Sequence, residues 1–155
     1  MTSVTAFAPA TVSNVACGFD VLGFALDEPG DQVTATFAEA GGVTITAIEG
    51  DGGRLPREAA RNTASVAALA LLTKVGDPRS VALTIRKGLP LSSGLGGSAA
   101  SAAAAVVAVN ALIGANLSAR SKARGSAPVR RTPTTSPRAS AAASSLCAAS
   151  TRSTS

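Results

Sequence analysis

Within residues 89–101, Leu-Pro-Leu-Ser-Ser-Gly-Leu-Gly-Gly-Ser-Ala-Ala-Ser, the first ten put three glycines and three hydroxyls directly before an alanine-rich run. Glycine lets main-chain amides approach a ligand closely, and a helix start offers unpaired N–H donors with about half a positive charge. Ser92, Ser93 and Ser98 add hydroxyl donors. Such a loop can cradle phosphate. The plainer alternative is a flexible turn that leads into a capped core helix.

Two common phosphate loops do not fit. A P-loop needs a lysine immediately after its last glycine, and here Ser98 follows Gly97. The dinucleotide fingerprint is met in form by Gly94, Gly96 and Ala99, but it also requires an acidic residue about 20 positions on. No Asp or Glu occurs after Asp77. The absence of histidine removes a Ser-His-Asp triad, a Cys-His pair and a His-ligated zinc. Cys17 and Cys147 are too few for a disulfide framework or a metal cage and suit a reducing cytosolic setting. The first residues lack a basic stretch and an apolar core, so no secretion signal is expected.

A second stretch, Ala8-Pro-Ala-Thr-Val-Ser-Asn-Val-Ala-Cys-Gly-Phe-Asp-Val-Leu-Gly-Phe-Ala-Leu26, carries Asn14 and Asp20 around Gly18. Alone, these two could be turn residues. A carboxylate there could also accept from an ammonium or orient a hydroxyl.

Residues 90–100 resemble the nucleotide-binding signature of the GHMP kinases, Pro-x-x-x-Gly-Leu-Gly-Ser-Ser-Ala, with Gly97 at the place of its first serine. Residues 8–26 resemble the N-terminal signature of the homoserine kinase branch of that family, with Ala16 at the place of a glycine. The likeness covers about residues 3–117, a little over a third of such an enzyme. It implies an α+β domain of the ribosomal-protein-like sandwich type, using ATP and Mg²⁺. It also implies ATP contacts from Asn62, Pro90, Leu91, Ser92, Ser93, Gly94, Leu95, Gly96, Gly97, Ser98, Ala99 and Ala100. Ser98 would also reach the metal. Asn14 and Asp20 would line the pocket of L-homoserine, a small-molecule substrate, and Asp20 is the one candidate for a catalytic role. Asn62 could equally be a helix cap. The resemblance further implies a cytoplasmic enzyme of threonine biosynthesis, possible homodimers at full length, and neither a nucleic-acid nor a membrane partner. The family's magnesium-binding glutamate, its substrate-gripping arginines and its C-terminal glycine-rich motif lie beyond the likeness. The 155-residue chain is therefore expected to be an inactive fragment.

These residues need elements to hold them. Val4 to Ala8 reads as a short strand ending at Pro9. Asp31–Phe37 and Val43–Ile48 alternate apolar and polar residues, as half-buried antiparallel strands do, with a turn at Gly41-Gly42 between them. Residues 61–74 read as a helix stopping before Gly76, and Val81–Ile85 as a further strand. Ser98–Ile113 reads as a buried helix, too short to span a bilayer. The order strands, helix, strand, helix indicates α+β.

Charge divides the chain. Residues 1–119 hold 7 Lys+Arg against all 9 Asp+Glu, a net of −2, whereas residues 120–155 hold 7 Lys+Arg and no acid. In that tail 32 of 36 residues are Ser, Thr, Ala, Pro, Arg or Lys. Little there can offset roughly 1–2 kcal/mol of ordering entropy per residue, so disorder is expected. A basic arm for nucleic acid is one reading, though the tail lacks aromatics for stacking. An out-of-frame reading of GC-rich coding sequence, beginning near Arg120, is the other.

Overall fold

The computed structural model describes residues 2–39, 41–117 and 152–154, with only the backbone described for Asp20 and for 152–154. Its centre is one five-stranded sheet. The strands are β1 (Ser3–Val15), β2 (Gly18–Ala38), β3 (Val43–Glu49), β4 (Ser80–Arg86) and β5 (Arg152–Thr154), and their spatial order is β3-β4-β2-β1-β5. Two helices, α1 (Thr63–Val75) and α2 (Gly97–Ile113), complete the domain.

The period-two pattern explains the layering. Val4, Ala6, Ala8 and Ala10 of β1, Val33 and Ala35 of β2, and Val81, Leu83 and Ile85 of β4 are all buried on one face. There they meet Ala104, Ala105, Ala108 and Val109 of α2 and Leu71 of α1. Alanine on both sides lets helix and sheet approach closely, while Leu71, Leu83 and Ile85, almost fully buried, contribute about 1.5–3 kcal/mol each. Alternate positions carry threonine. Thr5 pairs with Thr34 across β1 and β2, and Thr46 with Thr84 across β3 and β4, through hydroxyls 2.8 and 2.9 Å apart. The result is the expected α+β two-layer fold.

Strand pairing departs from expectation at one place. β2 and β3 are not partners, because β4 lies between them, antiparallel to β2 and parallel to β3. A parallel pair needs a crossover, and α1 supplies it. Gly42, expected in a hairpin turn, instead joins β3 to β4: its amide donates to Ser80 Oγ at 3.1 Å, and its carbonyl accepts from the Val81 amide at 2.7 Å. β1 also runs past Pro9 to Val15, pairing with β2 through two register shifts. The expected tail disorder lies outside the described residues except at Arg152–Thr154, which form an edge strand on Ser3–Thr5.

The helices begin and end as their sequences suggest. Asn62 caps α1, accepting from the Ala64 amide at 3.0 Å, and Gly76 closes it in the left-handed region. Asn110, polar within α2, is buried and accepts from the Leu117 amide at 3.1 Å, fixing the chain's exit. No helix among the described residues is long and apolar enough to cross a membrane.

Candidate nucleotide site

A cleft of about 530 Å³ opens where β4 hands over to α2, lined in part by Asn62, Lys87, Pro90, Ser93, Gly96 and Ser98. Both helices start at it: Asn62 and Thr63 from α1, and Gly96 to Ala99 from α2, all line the cavity. The first amides of each helix have no carbonyl behind them to pair with, so two positive helix ends converge on one space. Thr63 Oγ donates to the Ser98 carbonyl at 3.4 Å, tying the two starts together.

The loop itself is shaped by its glycines and by β1. Gly96 has φ 72°, and a side chain there would collide with the Thr11 hydroxyl. The Thr11 amide donates to the Leu95 carbonyl at 3.1 Å. Within the loop, the Leu95 amide is turned onto Ser93 Oγ at 3.4 Å, and the Ala100 amide is the first to close onto the helix, at Gly96 O. Gly97, Ser98 and Ala99 occupy the unpaired first turn. Ser92 has φ 62°, a strained value for a residue with a side chain.

The opposite wall is the segment holding Leu55 and Pro56. Asp51, buried, shapes it by accepting from the Gly53 and Leu55 amides, each at 3.0 Å. These hydrogen bonds, that from Leu55 first and that from Gly53 second, hold the Asp51 carboxyl below its ordinary range. Asn62 is 6% exposed, and both ends of its amide are used: Oδ1 caps α1, and Nδ2 donates to the Pro56 carbonyl at 3.0 Å. It therefore joins the two walls. Arg61 sits at the rim, 3.6 Å from Glu58, with both side chains largely exposed.

Of the residues anticipated for ATP, Asn62, Pro90, Leu91, Ser92, Ser93, Gly94, Gly96, Gly97, Ser98 and Ala99 line the cleft. Leu95 instead packs against the core and Ala100 is buried. Asn14 and Asp20 are not among the lining residues. Asn14 lies near the tip of the β1–β2 hairpin with φ 61°, and Asp20 lies on β2 just beyond the turn. Ala16, at the position of a glycine in the signature, has φ 46°, which accounts for glycine's suitability there. Cys17 beside it is an exposed free thiol.

Three polar residues escaped the sequence reading. Lys87 and Asp31 form an ion pair with side chains 2% and 0% exposed. Ser101 joins them, accepting from Lys87 Nζ at 2.9 Å and donating to Asp31 Oδ2 at 2.7 Å. Residue parity could have found two of them. Asp31 continues the inward set Val33 and Ala35, and Lys87 continues Val81, Leu83 and Ile85, so opposite charges both point to the core. The pairing of Gln32 with Arg86 then sets them next to each other.

Residues 62–137 match the family described as the GHMP kinases N terminal domain. The match runs past the boundary expected at residue 119. A homoserine kinase of Chloroherpeton thalassium is 49% identical over 124 residues, covering 74% of this chain and 39% of that relative. The crystal structure of homoserine kinase from Cytophaga hutchinsonii superposes with a TM-score of 0.77 at 47% identity, over 80% of this chain and 39% of that one. A mevalonate diphosphate decarboxylase from Legionella pneumophila shares the fold, with a TM-score of 0.63 at 21% identity over 80% of this chain and 45% of that one. The chain thus spans about two fifths of the length of the curated relatives it matches.

Proposed function

Because the body of this chain is an N-terminal domain of the GHMP kinase family, we propose that the whole protein phosphorylates L-homoserine. It transfers the γ-phosphoryl group of ATP to the side-chain hydroxyl, giving O-phospho-L-homoserine, a step of threonine biosynthesis. The observation that carries this reading is the meeting of two distant segments. Thr11, inside the stretch that resembles the homoserine kinase signature, bonds Leu95, inside the glycine-rich loop. The substrate assignment is supported by the 49% identical homoserine kinase relative. Mevalonate-type chemistry, the alternative within the family, has support only from more distant likeness of fold.

In the reaction the substrate oxygen bonds the γ-phosphorus as the bond to the β–γ bridging oxygen breaks. ADP leaves with the electron pair, and the hydroxyl proton passes to a base. Such transfer depends mainly on positioning and charge stabilisation. The amides of Gly97, Ser98 and Ala99, with the converging starts of α1 and α2, hold the triphosphate. Asn14 and Asp20 hold the amino alcohol, and Asp20 is the candidate base. A magnesium ion neutralises charge on the phosphates when bound. No cluster of three or more His, Cys, Asp or Glu able to hold a metal occurs among the described residues. Ser98, through its hydroxyl, would be the residue that holds this ion, which would supply charge neutralisation there.

An ADP-release assay with homoserine, mevalonate and shikimate tests the assignment. The full-length gene product is expected to turn over homoserine best, and the 155-residue chain to show at most a trace. Absence of homoserine turnover at full length would overturn the substrate. Robust turnover by the short chain would overturn its reading as an inactive fragment. An out-of-frame reading would begin near Arg120, within the stretch that the family match still covers, and resequencing across that codon tests it.

A further inference from the structure

The ion pair behind the cleft is connected to both ends of the loop. At the entry, the Gly88 and Leu89 amides donate to Asp31 Oδ1 at 3.1 and 3.2 Å. At the exit, Lys87 Nζ donates to the Gly97 carbonyl at 3.0 Å, and Ser101 lies one helical turn further on. All three ammonium protons have acceptors: Asp31 Oδ2, Gly97 O and Ser101 Oγ. No buried side-chain nitrogen or oxygen among the described residues lacks a partner. Lys87 lines the cleft, yet its charge is committed to the protein.

A buried ion pair is weak evidence for added stability, since well-packed apolar residues of similar volume often serve as well. Its worth here is positional. Gly97 O is drawn to Lys87, while the amides of Gly97, Ser98 and Ala99, in the first turn of α2, have no helical carbonyl behind them and lie at the cavity wall. The segment from Pro90 to Gly96 is then a loop with both feet on one carboxylate–ammonium pair, and little ordering remains to be done when a ligand arrives.

We propose that Asp31, Lys87 and Ser101 act as one positioning unit that pins the glycine-rich loop and thereby sets its affinity for the polyphosphate of a nucleotide. This rests on the nucleotide-binding reading above, and the test separates the two. The 155-residue chain is compared with Ser101→Ala and with the double variant Asp31→Asn/Lys87→Met, which strands no charge. Val43→Ala, at the far end of β3, is the control for general destabilisation. Affinities for MgATP and for adenosine are measured by titration, and backbone order at Gly94–Ala99 by ¹⁵N relaxation without ligand.

In the double variant, order parameters at the loop are expected to fall from about 0.85 to below about 0.6. ATP affinity is expected to fall about tenfold or more, as loss of a supporting shell commonly causes. Adenosine affinity stays within about twofold, and Ser101→Ala lies between the double variant and the parent. Unchanged loop order in the folded double variant, or an equal loss in Val43→Ala, overturns the positioning unit. So does equal weakening of ATP and adenosine. If the parent chain binds neither ligand, the nucleotide reading for this chain fails, and the order parameters alone then decide whether the three residues pin the loop.

Discussion

Around the glycine-rich loop, polar groups are buried and partnered. At the tip of the β1–β2 hairpin, large apolar side chains stand in solvent, with Phe19, Val21, Leu22 and Phe24 between 49% and 70% exposed. The loop has its anchors within the same 117 residues: Asp31 from β2, Lys87 after β4, Ser101 from α2 and Thr11 from β1. The hairpin tip, which carries Asn14 and Asp20, is instead where these apolar side chains are exposed. Exposed apolar patches of this kind mark surfaces meant to be covered. The loop end is therefore held within the described residues, whereas the hairpin end presents an apolar surface to solvent.

Unequal sensitivity at the two ends is the largest effect expected. Lys87→Met alone leaves Asp31 buried without its counter-charge, which should cost about 3–5 kcal/mol in chemical denaturation. Phe19→Ser should change stability by no more than about 0.5 kcal/mol, because the ring is already in water. It should also lower binding of an apolar-surface dye. Similar losses at the two sites would remove the distinction between a finished and an unfinished end.

Next in size is Asn62→Ala. The substitution deletes the cap on Ala64 and leaves the Pro56 carbonyl without its donor, an expected loss of about 1–2 kcal/mol. Because Asn62 joins the loop at Leu55 and Pro56 to α1, ATP affinity should fall with it. A stability loss with unchanged ATP affinity would confine Asn62 to its role as a cap.

The hairpin end offers a change in the opposite direction. Ala16 has φ 46°, where a residue with a Cβ is disfavoured by roughly 1–2 kcal/mol. Ala16→Gly should recover about 1 kcal/mol, visible as a rise of about 4 °C in Tm. A fall in Tm would mean that the extra freedom of glycine in the unfolded chain outweighs relief of strain at the tip.

How much of this was legible beforehand follows from the kind of signal each part carries. Both helices announced themselves through alanine-rich runs ended by Gly76 and Gly114, and β4 through its alternation. The glycine-rich loop was legible as a loop opening into a helix start because glycine content and a helix start are local properties. Pairing was not, since period two marks a strand but does not name its neighbour. Gly41-Gly42 suggested a hairpin, whereas the partner of β3 lay more than thirty residues on. The Asp31–Lys87–Ser101 cluster needs three elements to meet, so only the parity of its two charges was available. The ordering of Asn14 against Asp20 depends on a long hairpin whose signature reads as a turn.

The smallest effect separates the cleft wall from the rest of the fold by pH. Hydrogen bonds from Leu55 and Gly53 hold the native Asp51 carboxyl below its value in the unfolded chain, near 3.9. Over that interval the unfolded state binds more protons, so stability rises with pH. The contribution of Asp51 is complete above about pH 4 and is lost as the pH falls through the lower native value. Asp51→Asn cannot accept from both amides in the same way and removes this titration. Asp77, lowered in the same direction by its hydrogen bonds to Arg79, titrates in both proteins and cancels in the comparison. The Tm gap between parent and Asp51→Asn should be widest at neutral pH and narrow steadily from about pH 4 downward. A gap that does not vary with pH would show that the wall beside Asn62 is held by packing of Leu55 rather than by the charge of Asp51.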